Sequence, residues 1–148
     1  MLRLAVFSLI LAAAYCKTPW VPCPDASKAG TPKNVVVPDC NSVPCKLKKG
    51  TDVSFAVEFE SKETAANLTA VVHGILGSLP VPFPLSNPNA CKDSGIQCPI
   101  KMNQKYKYNQ KISISKSYPT ISVKVKWELK DSAHKDLFCI LVPVAIVD

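Results

Sequence analysis

Between residues 73 and 100 the chain reads HGILGSLPVPFPLSNPNACKDSGIQCPI. Pro80, Pro82, Pro84 and Pro88 punctuate this stretch, and Phe83 is held between two of them. Proline locks φ and removes a backbone donor, which excludes the run from a helix interior and from the centre of a sheet. The same run nevertheless carries Ile75, Leu76, Leu79, Val81, Phe83 and Leu85. An apolar, irregular segment of this kind either packs on a core or offers its surface to a ligand or a membrane.

The flanking sequence predicts strands. Residues 51–60 alternate, with Val53, Phe55, Val57 and Phe59 on one face and Asp52, Ser54, Ala56 and Glu58 on the other. Residues 121–129 alternate again: Ile121, Val123, Val125, Trp127 and Leu129 inward, Ser122, Lys124, Lys126 and Glu128 outward. Tyr106, Tyr108, Ile112 and Ile114 share one parity of a third run. A period of two with one apolar face is the mark of a half-buried strand. Residues 34–37 and 68–76 are further apolar, partly β-branched runs. Residues 137–147 form a nearly continuous apolar strand in which Pro143 predicts a bulge or an edge. Residues 17–30, 39–50 and 131–135 read as an irregular lead, a tethered turn and part of a charged hairpin loop. No window sustains a 3.6-residue apolar period between caps, so the fold class is an all-β sandwich.

Residues 1–16 read as a secretory signal: Arg3, then an apolar run from Leu4, with Ala14 and Cys16 as the small residues before the cut. That run is too short for a membrane span. Residues 17–148 would then form one domain with a real core. Beyond residue 16 the cysteines are Cys23, Cys40, Cys45, Cys91, Cys98 and Cys139. In an exported chain six cysteines imply a disulfide framework, with fifteen connectivities open. The short spacings suggest Cys40–Cys45 and Cys91–Cys98, which leaves Cys23–Cys139. Zinc is disfavoured, because C-x4-C and C-x6-C are poor ribbon spacings and export favours oxidation. This cysteine spacing also departs from a true immunoglobulin domain.

The formal net charge of +7 falls to +6 without Arg3, the only arginine. Arginine is the usual choice for bidentate recognition of bases and phosphates, so nucleic acid is not an expected partner. Lysine charge suits solubility or an anionic lipid surface. The histidines are His73 and His134, and no G-x-S-x-G elbow, P-loop or H-E-x-x-H occurs. An enzyme is not expected, and neither is a cofactor or a resident metal. Asn67-Leu68-Thr69 is a glycosylation sequon. A sandwich splayed at one end could line an apolar cavity with Phe83, Ile114 and Tyr118, its mouth kept preformed by the prolines.

HGIL with VPFP shortly after, CKDSGIQCPI, YPTI followed by VKWEL, and LFCILVPV occur in that order. Together they resemble the Niemann–Pick type C2 sterol-transfer branch of the MD-2-related lipid-recognition family, over nearly all of the chain beyond residue 16. The resemblance implies an immunoglobulin-like β-sandwich of about seven strands in two sheets. It implies an apolar pocket between the sheets and the disulfides Cys23–Cys139, Cys40–Cys45 and Cys91–Cys98. By the same resemblance, sterol-binding positions fall on Phe83, Ile114 and Tyr118, with Trp127, Val72 and Val125 as further wall. An outward apolar knob that meets the membrane falls on His73, Gly74, Ile75, Leu79 and Val81. At Gly77-Ser78-Leu79 the chain departs from the pattern, since a larger apolar residue commonly precedes the glycine. The implied function is carriage of cholesterol and related sterols out of the late endosome or lysosome lumen. The implied partners are anionic endosomal membranes and the Niemann–Pick type C1 membrane transporter, met by a secreted protein acting as a monomer. The alternative within the same fold is a secreted module that presents lipids to immune receptors or carries chemical signals.

Overall fold

A computed structural model describes residues 17–26 and 28–148. The expected signal at residues 1–16 lies outside the described residues. Nine strands are present among them: β1 (Val21–Pro22), β2 (Gly30–Val36), β3 (Cys45–Lys48), β4 (Asp52–Ser61), β5 (Thr69–Leu76), β6 (Leu79–Phe83), β7 (Lys105–Ser113), β8 (Ser122–Lys130) and β9 (Asp136–Val147). The smaller sheet has the order β2-β4-β7. The larger has the order β1-β9-β8-β5-β6, with β3 also paired to β9.

The strongest alternations lie at the centre of this frame. β4 pairs with β2 on one side and β7 on the other, and buries Phe55, Val57 and Phe59. β8 lies between β5 and β9 and buries Val125, Trp127 and Leu129. The two inner faces meet in an aromatic stack. Phe55 and Trp127 stand 5.0 Å apart between ring centroids, Tyr108 and Trp127 5.8 Å, and Phe59 and Phe138 5.5 Å. Such pairs contribute about 0.5–1.5 kcal/mol each beyond the area they bury.

Two short strands exceed the seven expected. β1 lies in the presumed irregular lead and pairs with Ile140 and Leu141. β3 lies in the presumed tethered turn and runs parallel to residues 144–147 of β9. Its alternation of buried Cys45 and Leu47 with exposed Lys46 and Lys48 is real but only four residues long. Pro143 creates no bulge: its register with Lys124 is continuous. It falls in the gap between the partners of β1 and β3, where no strand requires its missing N–H.

The proline-rich run is a strand too. β6 pairs with β5 through Val72↔Phe83, Gly74↔Val81 and Leu76↔Leu79, and it forms the sheet edge. Pro80 and Pro82 are tolerated because an edge strand has one unpaired side, and there they also block pairing with another chain. Gly77 turns the hairpin with a φ of 62°, the left-handed conformation a tight two-residue loop with glycine first requires.

The disulfides are Cys23–Cys139, Cys40–Cys45 and Cys91–Cys98. The first spans 116 residues, and closing so long a loop stabilises by up to about 4.7 kcal/mol in the chain-entropy picture. The third staples the segment after β6, which is also held by pairing of Thr69 with Asn89 and of Ala65 with Ile100.

Candidate functional site

Cross-strand register decides which way each residue of the β5–β6 hairpin points. Phe83, Val72, Trp127 and Ile140 lie opposite one another across four strands, and so do Val81, Gly74, Val125 and Val142. Directly opposed residues share a face. Val72, Trp127 and Val125 are buried core residues, so both rows look toward the smaller sheet. Gly74 and Val81 therefore point inward at the rim, while His73 and Ile75 point outward with Pro80 and Pro82. The expectation of an outward knob running from His73 to Val81 is replaced by this alternation.

At the rim the sandwich is not sealed. A Cβ placed on Gly74 would meet nothing within 4 Å. Leu76, Leu79 and Val81 are 39%, 63% and 40% exposed, which makes the hairpin end an apolar tip. Leu76 belongs to that tip, and its pairing with Leu79 was hidden once the run had been taken for a loop.

Phe83 ends β6 and is half-buried, and Tyr118 approaches it from the loop between β7 and β8. Their ring centroids are 6.0 Å apart at 75°, an edge-to-face pair. Beside them is a solvent-open cavity of about 180 Å³ lined by Phe83, Pro84, Leu85, Ser86, Lys111, Ile112, Ser113 and Tyr118. Ligand pockets commonly measure about 300–1,000 Å³, so this cavity is smaller than a typical ligand site. Ile114 stands outside this lining. It is buried against the turn before β4, accepting a bond from Gly50 N at 2.6 Å and donating to Thr51 O at 2.9 Å. Ile112, two residues earlier on the same parity, lines the cavity instead. Leu85, two residues past Phe83, completes the apolar wall. Both were legible as inward-parity neighbours of residues already singled out.

The inner row of β7 also holds Gln110, which is 9% exposed. Its Oε1 accepts from the Tyr108 hydroxyl at 2.7 Å, and its Nε2 donates to Asn87 O at 3.1 Å. Burial pushes Tyr108 above the usual phenol range, so its hydroxyl stays protonated and donates.

On the outer face of the larger sheet, β8 carries Lys124, Lys126, Glu128 and Lys130. Lys126 lies beside His73, and Lys124 beside Ile75. Glu128, expected in solvent, is 7% exposed, because residues 24–26 and the Cys23–Cys139 bridge border it across a groove of about 410 Å³. Lys130 Nζ bridges Glu128 Oε2 at 2.9 Å and Asp136 Oδ1 at 3.2 Å, and Lys126 Nζ stands 3.8 Å from Glu128. Burial first, and then the Glu128 carboxylate, push Asp136 up to about 6. Burial also raises Glu128, but Lys130, Asp136 and Lys126 outweigh it and hold Glu128 below the usual range. Glu128, Asp136 and Cys139 have ligand-type atoms within 4.8 Å of one another. The Cys139 sulfur is bonded to Cys23, so it offers no thiolate, and Lys130 already supplies the local cation.

Comparison with known proteins agrees with this architecture. The ML domain matches residues 17–146. The chain is 42% identical over 147 residues to a Danio rerio protein named NPC intracellular cholesterol transporter 2, covering 98% of this chain and 97% of that one. It is 40% identical over 122 residues to the Drosophila melanogaster NPC intracellular cholesterol transporter 2 homolog a, covering 81% of this chain and 82% of that one. The crystal structure of a Niemann-Pick type C2 protein from Japanese carpenter ant superposes with a TM-score of 0.81 at 26% identity, over 86% of this chain and 99% of the other. With the family profile spanning both sheets and the hairpin rim between them, the chain belongs to the ML domain family.

Proposed function

We propose that this chain is a sterol carrier, binding unesterified cholesterol and related sterols between its sheets and handing them on by contact. The observation that carries the reading is the edge-to-face pairing of Phe83 and Tyr118 at the mouth of a cavity that Leu85 and Ile112 also line, beside an exposed apolar hairpin tip at the unsealed rim. The relatives named as cholesterol transporters support the same ligand class. The sterol enters apolar end first, and its ring hydroxyl stays near Lys111 and Ser113 at the mouth. Val72, Trp127 and Val125 form the deeper surroundings that close around the ring system once Phe83 and Tyr118 have moved, and Ile114, past the end of β7, backs the mouth. A sterol buries several hundred Å² of apolar surface; at ~25 cal/mol per Å² that is on the order of 10 kcal/mol before the costs of association. No covalent step is needed.

The same reading places the work in the lumen of late endosomes and lysosomes after secretion, with Asn67 glycosylated on its exposed turn. The exposed end of the hairpin, its outward side formed by His73 and Ile75 and its rim side by Gly74, Leu79 and Val81, docks on anionic endosomal membrane or on the Niemann–Pick type C1 transporter. Lys124 and Lys126 flank the tip and add on the order of 1 kcal/mol each near an anionic surface. Lys126 stands 3.8 Å from Glu128, so Lys126→Gln is the gentler change there and Lys124→Glu the stronger one at the exposed site. In a vesicle-to-vesicle cholesterol transfer assay, the double variant is expected to be at least about fivefold slower than wild type toward anionic acceptors and less sensitive to salt. Unchanged rate and salt dependence would remove this face from the docking surface.

A further inference from the structure

The edge of the sandwich away from the β5–β6 hairpin carries a second crevice. There β2 is the outer strand of the smaller sheet, and β1 lies beyond β9 in the larger one. The crevice measures about 290 Å³ and shares no lining residue with the cavity beside Phe83. Its innermost residues are Phe138 and the Cys23–Cys139 bridge, and Pro22 and Pro32 flank them. Gly30 also lines it, and a Cβ there would clash with the Leu137 carbonyl oxygen. β2 and β9 therefore close on each other at this point, and the crevice lies on the outside of the sandwich. Lys28 and Lys62 border it and are exposed. Neither forms an ion pair among the described residues. The acid in the lining is Asp136, which is buried with Lys130 Nζ 3.2 Å from its Oδ1. An apolar interior with two uncommitted ammonium groups at the rim matches an amphiphile of negative charge, and the lysine stems lengthen the apolar wall.

We propose that this crevice is a second lipid site, which takes the anion of a single-chain fatty acid. The hydrocarbon end lies along Phe138, the disulfide and the two prolines. The carboxylate stays at the rim, accepting from the ammonium groups of Lys28 and Lys62 and away from Asp136, whose charge Lys130 already meets. A volume just under the usual range for ligand pockets suits one chain better than a fused ring system. A neutral sterol hydroxyl would also gain little from two ammonium groups, whereas a carboxylate forms charge-assisted hydrogen bonds with them. The proposal does not depend on the sterol reading, which rests on the other cavity.

The test is a calorimetric titration with dodecanoate kept below its micelle concentration. The parent protein is Phe83→Ala, which weakens the cavity beside Tyr118 and so isolates the crevice. One dodecanoate per chain is expected to bind this parent, and to bind about fivefold more weakly once Lys28→Gln and Lys62→Gln are added. Both lysines are exposed, so the added changes leave the fold intact, and a thermal melt verifies it. Uncharged dodecanol is expected to bind the two proteins alike. The proposal is overturned by the absence of saturable dodecanoate binding to Phe83→Ala, or by equal dodecanoate affinity with and without the lysines. It is also overturned if dodecanol weakens as much as dodecanoate does. None of these results bears on sterol binding.

Discussion

Phe83→Ala is expected to weaken sterol binding by about one to two orders of magnitude while the protein stays folded. Burying a phenylalanine side chain against an apolar partner contributes about 1.5–3 kcal/mol, and each 1.4 kcal/mol is tenfold in affinity. In the proposed complex Phe83 meets the ligand on one side and Tyr118 on the other, where the present ring separation is 6.0 Å. The change leaves the fold largely untouched, because Phe83 ends an edge strand and is only half-buried. The aromatic stack of Phe55, Tyr108, Trp127 and Phe138 lies deeper and remains intact. Calorimetric titration with cholesterol measures the loss, and a thermal melt confirms the fold. Wild-type affinity in Phe83→Ala would remove this ring from the ligand's path.

The second large effect is on stability against pH. Asp136 has its folded-state pKa raised from 3.8 to about 6, first by burial and then by the Glu128 carboxylate. The sign follows from linkage. A group held more basic in the fold contributes stability that is full below its unfolded pKa and is lost as pH rises through its folded one. The effect is on the order of a few kcal/mol in all, and part of it disappears between pH 5 and pH 7.5. Glu128 is held below its ordinary range, so its contribution is lost only as the pH falls further, beneath that window. The two carboxylates share Lys130 and titrate as a unit. Asp136→Asn still accepts from Lys130 but removes a buried negative charge. Urea unfolding at pH 5 and pH 7.5 should show wild type more dependent on pH than Asp136→Asn, with the variant at least as stable as wild type at pH 7.5. Identical pH dependence in the two proteins would contradict this account of the cluster.

The central strands β4 and β8 were legible because each buries one whole face over nine or ten residues, which leaves a strict period of two. β1 and β3 were not, since two or four residues carry too little pattern and their pairing comes from β9, far along the chain. The hairpin illustrates a subtler failure. Prolines correctly excluded residues 79–83 from a sheet centre but not from an edge, and taking the run for a loop concealed that Val81 and Phe83 share a face. Glu128 sat on the outward parity of β8, yet the lead segment and the Cys23–Cys139 bridge cover it. Parity cannot foresee burial by a segment tied in from the other end of the chain. Gln110 was passed over because an inward parity containing one polar residue still reads as apolar; its partners became visible only with the loop at Asn87 in place.

Identifying the lipid that the protein retains when purified from its native source tests the central claim most directly. Organic extraction followed by mass spectrometry should recover an unesterified sterol, at about one molecule per chain, from wild type but not from Phe83→Ala. Recovery of a lipid with several acyl chains in its place, or equal sterol in both proteins, would contradict it.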